Sequence, residues 1–251
     1  MSISEQFAEQ LAPVRQQIAD GAPVAVLSGA GLSAASGIPT FRGAQDSLWS
    51  KYRPQDLATP QAFAADPELV WGWYDWRRKL IADSAPNAAH LALAELENHT
   101  EVTIITQNVD GYHRLAGSSR ILEYHGSIWT VRCQGCGHET LDERVPMPTL
   151  PSCEKCGGLL RPGVVWFGEG IDPAVSQASD MATADCDVFL VIGTAGAVYP
   201  AAGLVAAARH GGALVVEFNL EPSEISHLAD LFVAGSAGDT VPLLLPGTGG
   251  R

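Results

Sequence analysis

Four cysteines stand in two pairs, CQGC (Cys133, Cys136) and CEKC (Cys153, Cys156), with 16 residues between the pairs. Four thiolates at this spacing can close a tetrahedron around a zinc ion. Two disulfides are the competing use of such a set. The paired spacing and the cytoplasmic setting expected below favour zinc. With four cysteine ligands no position is left for water or substrate, so the ion would be structural. Cys186 stands alone at a strand edge and reads as a core residue rather than a nucleophile.

SGAGLSAASG carries Gly29, Gly31 and Ala34 in a GxGxxG/A spacing. Small residues there let backbone N–H groups approach a pyrophosphate near a helix N-terminus. A glycine-rich turn is often only a turn, so the loop decides little alone. The acidic residue expected about 20 positions further on, at the end of a second strand, is missing. That disfavours an ordinary dehydrogenase. TQNVDG places Gln107, Asn108 and Asp110 directly after an apolar run, and EYHGS follows with His125. An imidazole titrates near neutrality and suits general-base work. A lone histidine is more often a hydrogen-bonded structural group, but the company of the other strand-end motifs favours catalysis.

VWGWYDWRRKLI, residues 70–81, raises a different question. At a period of 3.6, Val70, Trp73, Tyr74, Leu80 and Ile81 gather on one helix face, with Arg77 in their midst. Asp75, Arg78 and Lys79 are expected to point to solvent. A guanidinium facing an apolar interior needs an anion, because a buried unpaired charge is costly. Either the chain supplies it, with Glu68 or Asp66 as the nearest choices, or a ligand does.

These residues must be positioned by recurring elements. Apolar runs at Val24–Leu27, 102–106, 187–193, 213–218 and 231–235 read as buried strands. Helical stretches such as HLALAELE and PAAGLVAAARH lie between several of them, and residues 4–20 read as an amphipathic helix. Alternating strands and helices imply an α/β fold with a parallel sheet covered on both faces. Ligands of such sheets sit beyond the C-terminal strand ends. The loops SGAGLSAASG, TQNVDG, GTAGAV and NLEPS should therefore converge on one crevice. Residues 41–88 look helical and aromatic. Residues 128–168, with the four paired cysteines, look like a loop-rich insertion.

The chain has 251 residues, 46% hydrophobic and 17% charged, which suits one large domain with a small insertion. A formal charge of -13 argues against a nucleic-acid-coating surface and is compatible with basic peptide partners. The N-terminal stretch has no apolar signal core, and the most apolar region is broken by glycine, proline and charge, so a soluble cytoplasmic protein without a membrane span is expected. There is no internal repeat or low-complexity tract. The PGTGGR tail is expected to fray. No sustained apolar stripe stands out, which favours a monomer.

GAGLSAASGIPTFRG, TQNVDGYHRLAG, YHGS, the two CxxC pairs, GVVWFGE, GTAGAVYP and FNLEPS occur in the order found in sirtuins. The chain resembles that family from about Val24 to Val241. The resemblance implies a Rossmann-like NAD-binding domain (residues 1–40, 89–127 and 169–251), a helical segment lining an acyl pocket (41–88) and a zinc-binding module (128–168). It implies NAD-dependent removal of acyl groups from protein lysines. YDWR and DLATPQAFAADPELVW look most like the class preferring succinyl, malonyl or glutaryl groups.

The resemblance implies roles at the matching positions. Gly29, Ala30, Gly31, Ser33, Phe41 and Arg42 would line the NAD diphosphate and ribose. Ile38, Asn108 and Asp110 would hold the nicotinamide, and Gln107 its ribose. Gly193, Thr194, Asn219, Leu220 and Ala237 would hold the adenosine end. Val165, Trp166, Phe167, Gly168 and Glu169 would pair as a strand with the substrate backbone. His125 would be the base, giving free lysine, nicotinamide and O-acyl-ADP-ribose. Arg77 and Tyr74 would bind the acyl carboxylate, and the small Ala58 would leave room for the longer chain. One departure is Ala195, where the family usually has serine, which removes a hydroxyl near the adenosine end. A plain deacetylase, an ADP-ribosyltransferase and an NAD-binding sensor are the competing readings.

Overall fold

The computed structural model describes residue 7, residues 9–39 and residues 53–245. Its larger sheet has six parallel strands: β1 (Val24–Ser28), β2 (Val102–Thr106), β3 (Ile121–Glu123), β7 (Val188–Ile192), β8 (Leu214–Asn219) and β9 (Leu231–Ala234). They lie in the order β3-β2-β1-β7-β8-β9. β1 is central, paired in register with β2 on one side and β7 on the other (Val24 opposite Val102 and Val188). The chain therefore runs outward from β1 in one direction, returns, and runs outward in the other. That reversal opens a crevice beyond the C-terminal ends of β1 and β7, as in dinucleotide-binding sheets. Strand β3, three half-buried residues long, is absent from the strands expected above; so short a run carries no periodic signal.

Both faces of the sheet are buried, which explains the unbroken apolar runs. Val24, Val26, Ile104, Leu190 and Ile192 face one helical layer, with α1 (Ala12–Ala19) and α6 (Ala88–Leu96). Their sequence neighbours Ala25, Leu27, Ile105, Phe189 and Val191 face the other, covered by α8 (Pro173–Asp185) and α9 (Gly203–Gly211). The alternation is the period-two geometry of a strand. Cys186 lies in this second layer, donating to the Thr183 carbonyl at 3.3 Å, and burial raises its thiol to about 11. It is a core residue.

The crevice is flanked by α2 (Ala30–Ala34), α3 (Pro54–Leu57), α4 (Pro60–Ala65), α5 (Pro67–Ala82) and α7 (Tyr112–Ala116). Asp66 and Thr59 start α5 and α4 by accepting from Leu69 N (2.9 Å) and Ala62 N (3.1 Å). The inserted segment is more regular than expected. It forms a three-stranded antiparallel sheet of β4 (Gly126–Cys133), β5 (Glu139–Leu141) and β6 (Leu160–Val164), in the order β5-β4-β6. Pro162 and Gly163 hide β6 from sequence patterns, and proline is tolerated because β6 is an edge strand. The short helix α10 (Ala237–Thr240) closes the fold.

Helix α5 packs against this small sheet, and that corrects one expectation. Arg78 is fully buried rather than solvated. Its guanidinium donates to the carbonyls of Ile128 (2.9 Å), Arg144 (3.2 Å) and Asp142 (2.5 Å). Asp75 accepts from Met147 N at 2.7 Å, leaving only Lys79 of the three exposed, paired with Asp83. The helix is covered on two sides, whereas a single-face reading assumes one.

Candidate active site and metal centre

The strand-end residues meet as one network. Gly31 N donates to Gly193 O at 2.7 Å, and Gly193 N to Phe218 O at 2.9 Å. A side chain on Gly31 would lie 2.8 Å from the Gly193 backbone, and Gly193 itself has φ +61°, so both positions need glycine. Beside this back-to-back contact, Gln107 Nε2 donates to Thr194 Oγ1 (3.0 Å), and Asn108 Nδ2 to Gly29 O (3.0 Å) and Ser33 Oγ (3.2 Å). Ser33 donates to Asp110 at 2.7 Å. Asn219 Nδ2 donates to Thr194 O at 2.9 Å. Helix α2 starts at Gly29 with no side-chain cap. Amides, hydroxyls and a bare helix start around one crevice form a donor set suited to a diphosphate flanked by two riboses.

His125 lies in the two-residue turn between β3 and β4 and is half-buried. Its Nδ1 lies 3.1 Å from Gln107 O. A carbonyl only accepts, so Nδ1 carries the proton and Nε2 keeps a lone pair. Burial lowers the imidazole below its ordinary value, offset in part by that hydrogen bond. The opposite happens at Asp110, where burial raises the carboxylate despite donors from Tyr112 N and Ser33. Trp129 Nε1 anchors the Asp110 carbonyl at 2.7 Å.

Tyr74, Ala58 and Trp166 are buried in one apolar cluster with Phe63 and Trp73, and half-buried Ile38 packs against it. Trp166 Nε1 donates to Tyr74 Oη at 2.9 Å, and burial pushes that phenol to about 12. Arg77 is half-buried, its guanidinium 4.9 Å from the Trp73 ring centre. Burial lowers it, while Tyr74 and Asp110 act in the opposite sense. Asp66 and Glu68 are exposed and Asp66 caps α5, whereas Asp110 is, among the described residues, a carboxylate whose charge bears on Arg77.

The segment 165–169, expected to pair with a substrate backbone, begins where β6 ends at Val164. Val165 N donates to His125 O, Phe167 N to Ala58 O, and Glu169 N to Trp166 O, each at 2.9 Å. Glu169 is committed to Arg161 (2.5 and 2.8 Å) and to Trp166 N (2.9 Å). Phe167 and Gly168 are exposed. Gly193 and Thr194 sit at the crevice, exposed Leu220 borders it, and Ala237 is buried at the start of α10. Ala195 is exposed, its carbonyl accepting from Glu224 N at 3.2 Å. Ala30 opens α2. Phe41 and Arg42 lie outside the described residues.

Sequence reasoning missed two polar groups behind the site. Glu217, 1% exposed, accepts from Asn219 Nδ2 (3.3 Å) and Ser226 Oγ (2.5 Å), and so orients a strand-end amide. Buried His113 lies 2.9 Å from Ser28 Oγ, which donates to Thr106 at 2.9 Å, and its ring centre is 5.0 Å from that of buried His90. His90 accepts from Asn87 N, and Asn87 donates to Leu32 O at 2.8 Å. This chain ties the end of the glycine loop to the TQN strand end. Only the Asn87–His90 spacing, a helix-capping pattern, hinted at it.

At the far end of the small sheet the four cysteine Sγ atoms lie within 4.8 Å of one another. Cys133 and Cys156 are 3.4 Å apart, Cys136 and Cys153 3.8 Å, and none is in a disulfide. A tetrahedron with Zn–S bonds of about 2.3 Å has edges of about 3.8 Å, so the set fits zinc. N–H groups of Gly135 (3.3 Å) and Gly158 (3.4 Å) point at Cys133 and Cys156, as suits thiolates. The centre closes the turns that carry β4 and β6, and through β6 the 165–169 segment.

Comparison with known proteins agrees with this architecture. A model described as the Sir2 family matches residues 29–200. An NAD-dependent protein deacylase of Aquifex aeolicus (strain VF5) is 52% identical over 211 residues, 83% of this chain and 87% of that protein. An NAD-dependent protein deacylase of Pyrococcus furiosus is 47% identical over 242 residues, 94% of this chain and 96% of that protein. Among solved structures, a Sir2 homolog–NAD complex superposes with a TM-score of 0.88 at 44% identity, covering 92% and 91% of the two chains. A Sir2–p53 peptide–NAD+ complex does so with a TM-score of 0.81 at 27% identity, covering 92% and 95%. With the glycine loop, the TQN strand end, His125 and both cysteine pairs all inside the matched span, this chain belongs to the Sir2 family.

Proposed function

We propose that this protein is an NAD-dependent protein-lysine deacylase that prefers acidic acyl groups, such as succinyl, malonyl and glutaryl, over acetyl. The deacylase part is supported by its relatives and by the donor set at the strand ends. The observation that carries the acidic preference is Tyr74 beside Arg77 on α5, buried or half-buried, with Asp110 the charge that bears on Arg77. A carboxylate on the acyl chain would be met bidentately by the guanidinium and by the phenol. Ala58 leaves room beside them.

NAD, when bound, supplies the ribose that receives the acyl group as nicotinamide departs. Ser33, Gln107, Asn108, Thr194 and Asn219 are the side chains that would hold it, with Ile38 and Asp110 at the nicotinamide. His125 accepts a proton at Nε2, its ring held by Gln107 O through Nδ1. Its lowered pKa keeps it neutral at lower pH than a free imidazole. The half-buried setting limits water around the reacting centre. Backbone carbonyls of Val165, Phe167 and Gly168 would dock a peptide, whereas the Trp166 carbonyl accepts from Glu169 N and the Glu169 side chain is spent on Arg161. The charge of -13 favours basic sequences around the target lysine.

The test is a paired assay on one lysine peptide, succinylated or acetylated, with and without NAD, read by mass spectrometry. NAD-dependent loss of succinyl well above acetyl is expected. Arg77→Met should cut the succinyl-to-acetyl ratio of kcat/KM by a factor of ~30 or more, the loss of a charge-assisted contact. Equal loss on both substrates would remove the carboxylate role. Acetyl preferred by the native protein would leave a plain deacetylase.

A further inference from the structure

We propose that Trp166 is a positioning residue for acyl specificity: its indole N–H fixes where the Tyr74 hydroxyl proton points. This rests on the acidic-acyl reading above. The indole nitrogen can only donate, so in the 2.9 Å contact the Tyr74 oxygen accepts. The phenol proton is therefore unspent on Trp166, and among the described residues Tyr74 Oη makes no other hydrogen bond. Tyr74 is 3% exposed, where an unused donor is costly. With a pKa near 12 the phenol keeps its proton throughout the working range. The acceptor that completes the site is an anion arriving beside Arg77.

Trp166 is itself tightly held. The Arg161 guanidinium stacks 3.4 Å from the indole centre, and Phe63 packs at 5.2 Å. Arg161 grips Glu169 through two contacts, and Glu169 accepts from Trp166 N. Arg161 also donates to Val164 O at 2.9 Å. One indole thus links the loop expected to dock the peptide backbone to the helix that carries the proposed carboxylate-binding pair, Tyr74 and Arg77. Arg161, Glu169 and Trp166 together aim Tyr74.

The experiment is a double-mutant cycle with Trp166→Phe, Tyr74→Phe and the double variant, each assayed on succinylated and acetylated forms of one peptide. Trp166→Phe should lower the succinyl-to-acetyl ratio of kcat/KM by about tenfold, as expected for one hydrogen bond to the acyl group, and the double variant should fall no further than Tyr74→Phe. Equal loss on both substrates, or additive losses, overturns the proposal while leaving the acidic-acyl reading intact. No succinyl preference in the native protein overturns that reading first, before any variant is made. A second readout covers the case of a poorly folded variant. In the native protein, succinyl peptide should shift the Trp166 indole 15N–H resonance more than acetyl peptide does. Equal shifts would also overturn the proposal.

Discussion

Arg78→Met isolates the brace between α5 and the zinc-binding module. The guanidinium serves three carbonyls, but they are not equivalent. Ile128 is fully buried in β4, where the register with β6 slips between Gly126 and Val131, so its carbonyl lies outside that ladder. Asp142 is half-buried and Arg144 exposed, so water can replace the arginine there. Methionine would then orphan one buried carbonyl, at about 1–3 kcal/mol, and lose the cation stacked 5.4 Å from the Trp129 ring, about 0.5–1 kcal/mol. Relief of the guanidinium's own dehydration offsets part of this. A net loss of about 2–3 kcal/mol corresponds to a drop of about 5–10 °C in Tm for a chain this long. Circular dichroism melts of native, Arg78→Met and Arg78→Lys proteins measure it. Lysine should fall between, since one ammonium can still reach Ile128 O. A methionine variant melting within about 1 °C of the native protein would refute the argument, because dehydration would then cancel the hydrogen bonds. The brace bears on function through α5, which also carries Tyr74 and Arg77.

The buried histidines make stability depend on acidity. Burial lowers His113 to about 4, and burial with the neighbouring His113 lowers His90 to about 2. Below the unfolded value of about 6.5 the unfolded chain binds protons first, so stability present at pH 7 falls by up to about 1.4 kcal/mol per pH unit for each ring, both contributing down to pH 4 and His90 alone below it. Urea midpoints at pH 7 and pH 5 should show the fall, and His113→Gln should make it shallower; an unchanged slope would remove His113 from the account. Gly31→Ala forces a methyl group within 2.8 Å of the Gly193 backbone, so it should destabilise the crevice by about 1–3 kcal/mol and abolish the thermal shift given by ADP-ribose. A full ADP-ribose shift in that variant would mean that the two loops separate freely.

The parts of this molecule legible in the sequence are those governed by local rules. Residues 24–27 and Val188–Ile192 are apolar along their whole length because both sheet faces are covered, and such runs announce themselves. Once the strands are placed, Gly31, Asn108, Thr194 and Asn219 follow, because each lies at or just past a strand end and parallel sheets gather those ends. The cysteine pairs need only their spacing. What escaped depends on partners far along the chain. Helix α8, residues 173–185, is mostly polar and small and buries only Ser179 and Thr183 fully, so it shows little apolar stripe.

Arg77 and Arg78 show the limit most clearly. They are adjacent in sequence and equal in charge, and a single-face reading put one inside and one in solvent. The structure buries both sides of α5, because β4 packs on the face that Arg78 occupies. The two arginines are then told apart only by what surrounds each guanidinium. Arg78 finds backbone carbonyls, which accept a hydrogen bond without carrying a compensating charge. Arg77 finds the Tyr74 phenol, which accepts from Trp166, and the Asp110 carboxylate, whose pKa burial raises. Tyr74 and Asp110 both favour the charged guanidinium against the cost of its burial. That difference in surroundings, rather than any difference in residue type or helical position, is the ground on which Arg78 is read as a brace and a recognition role is proposed for Arg77.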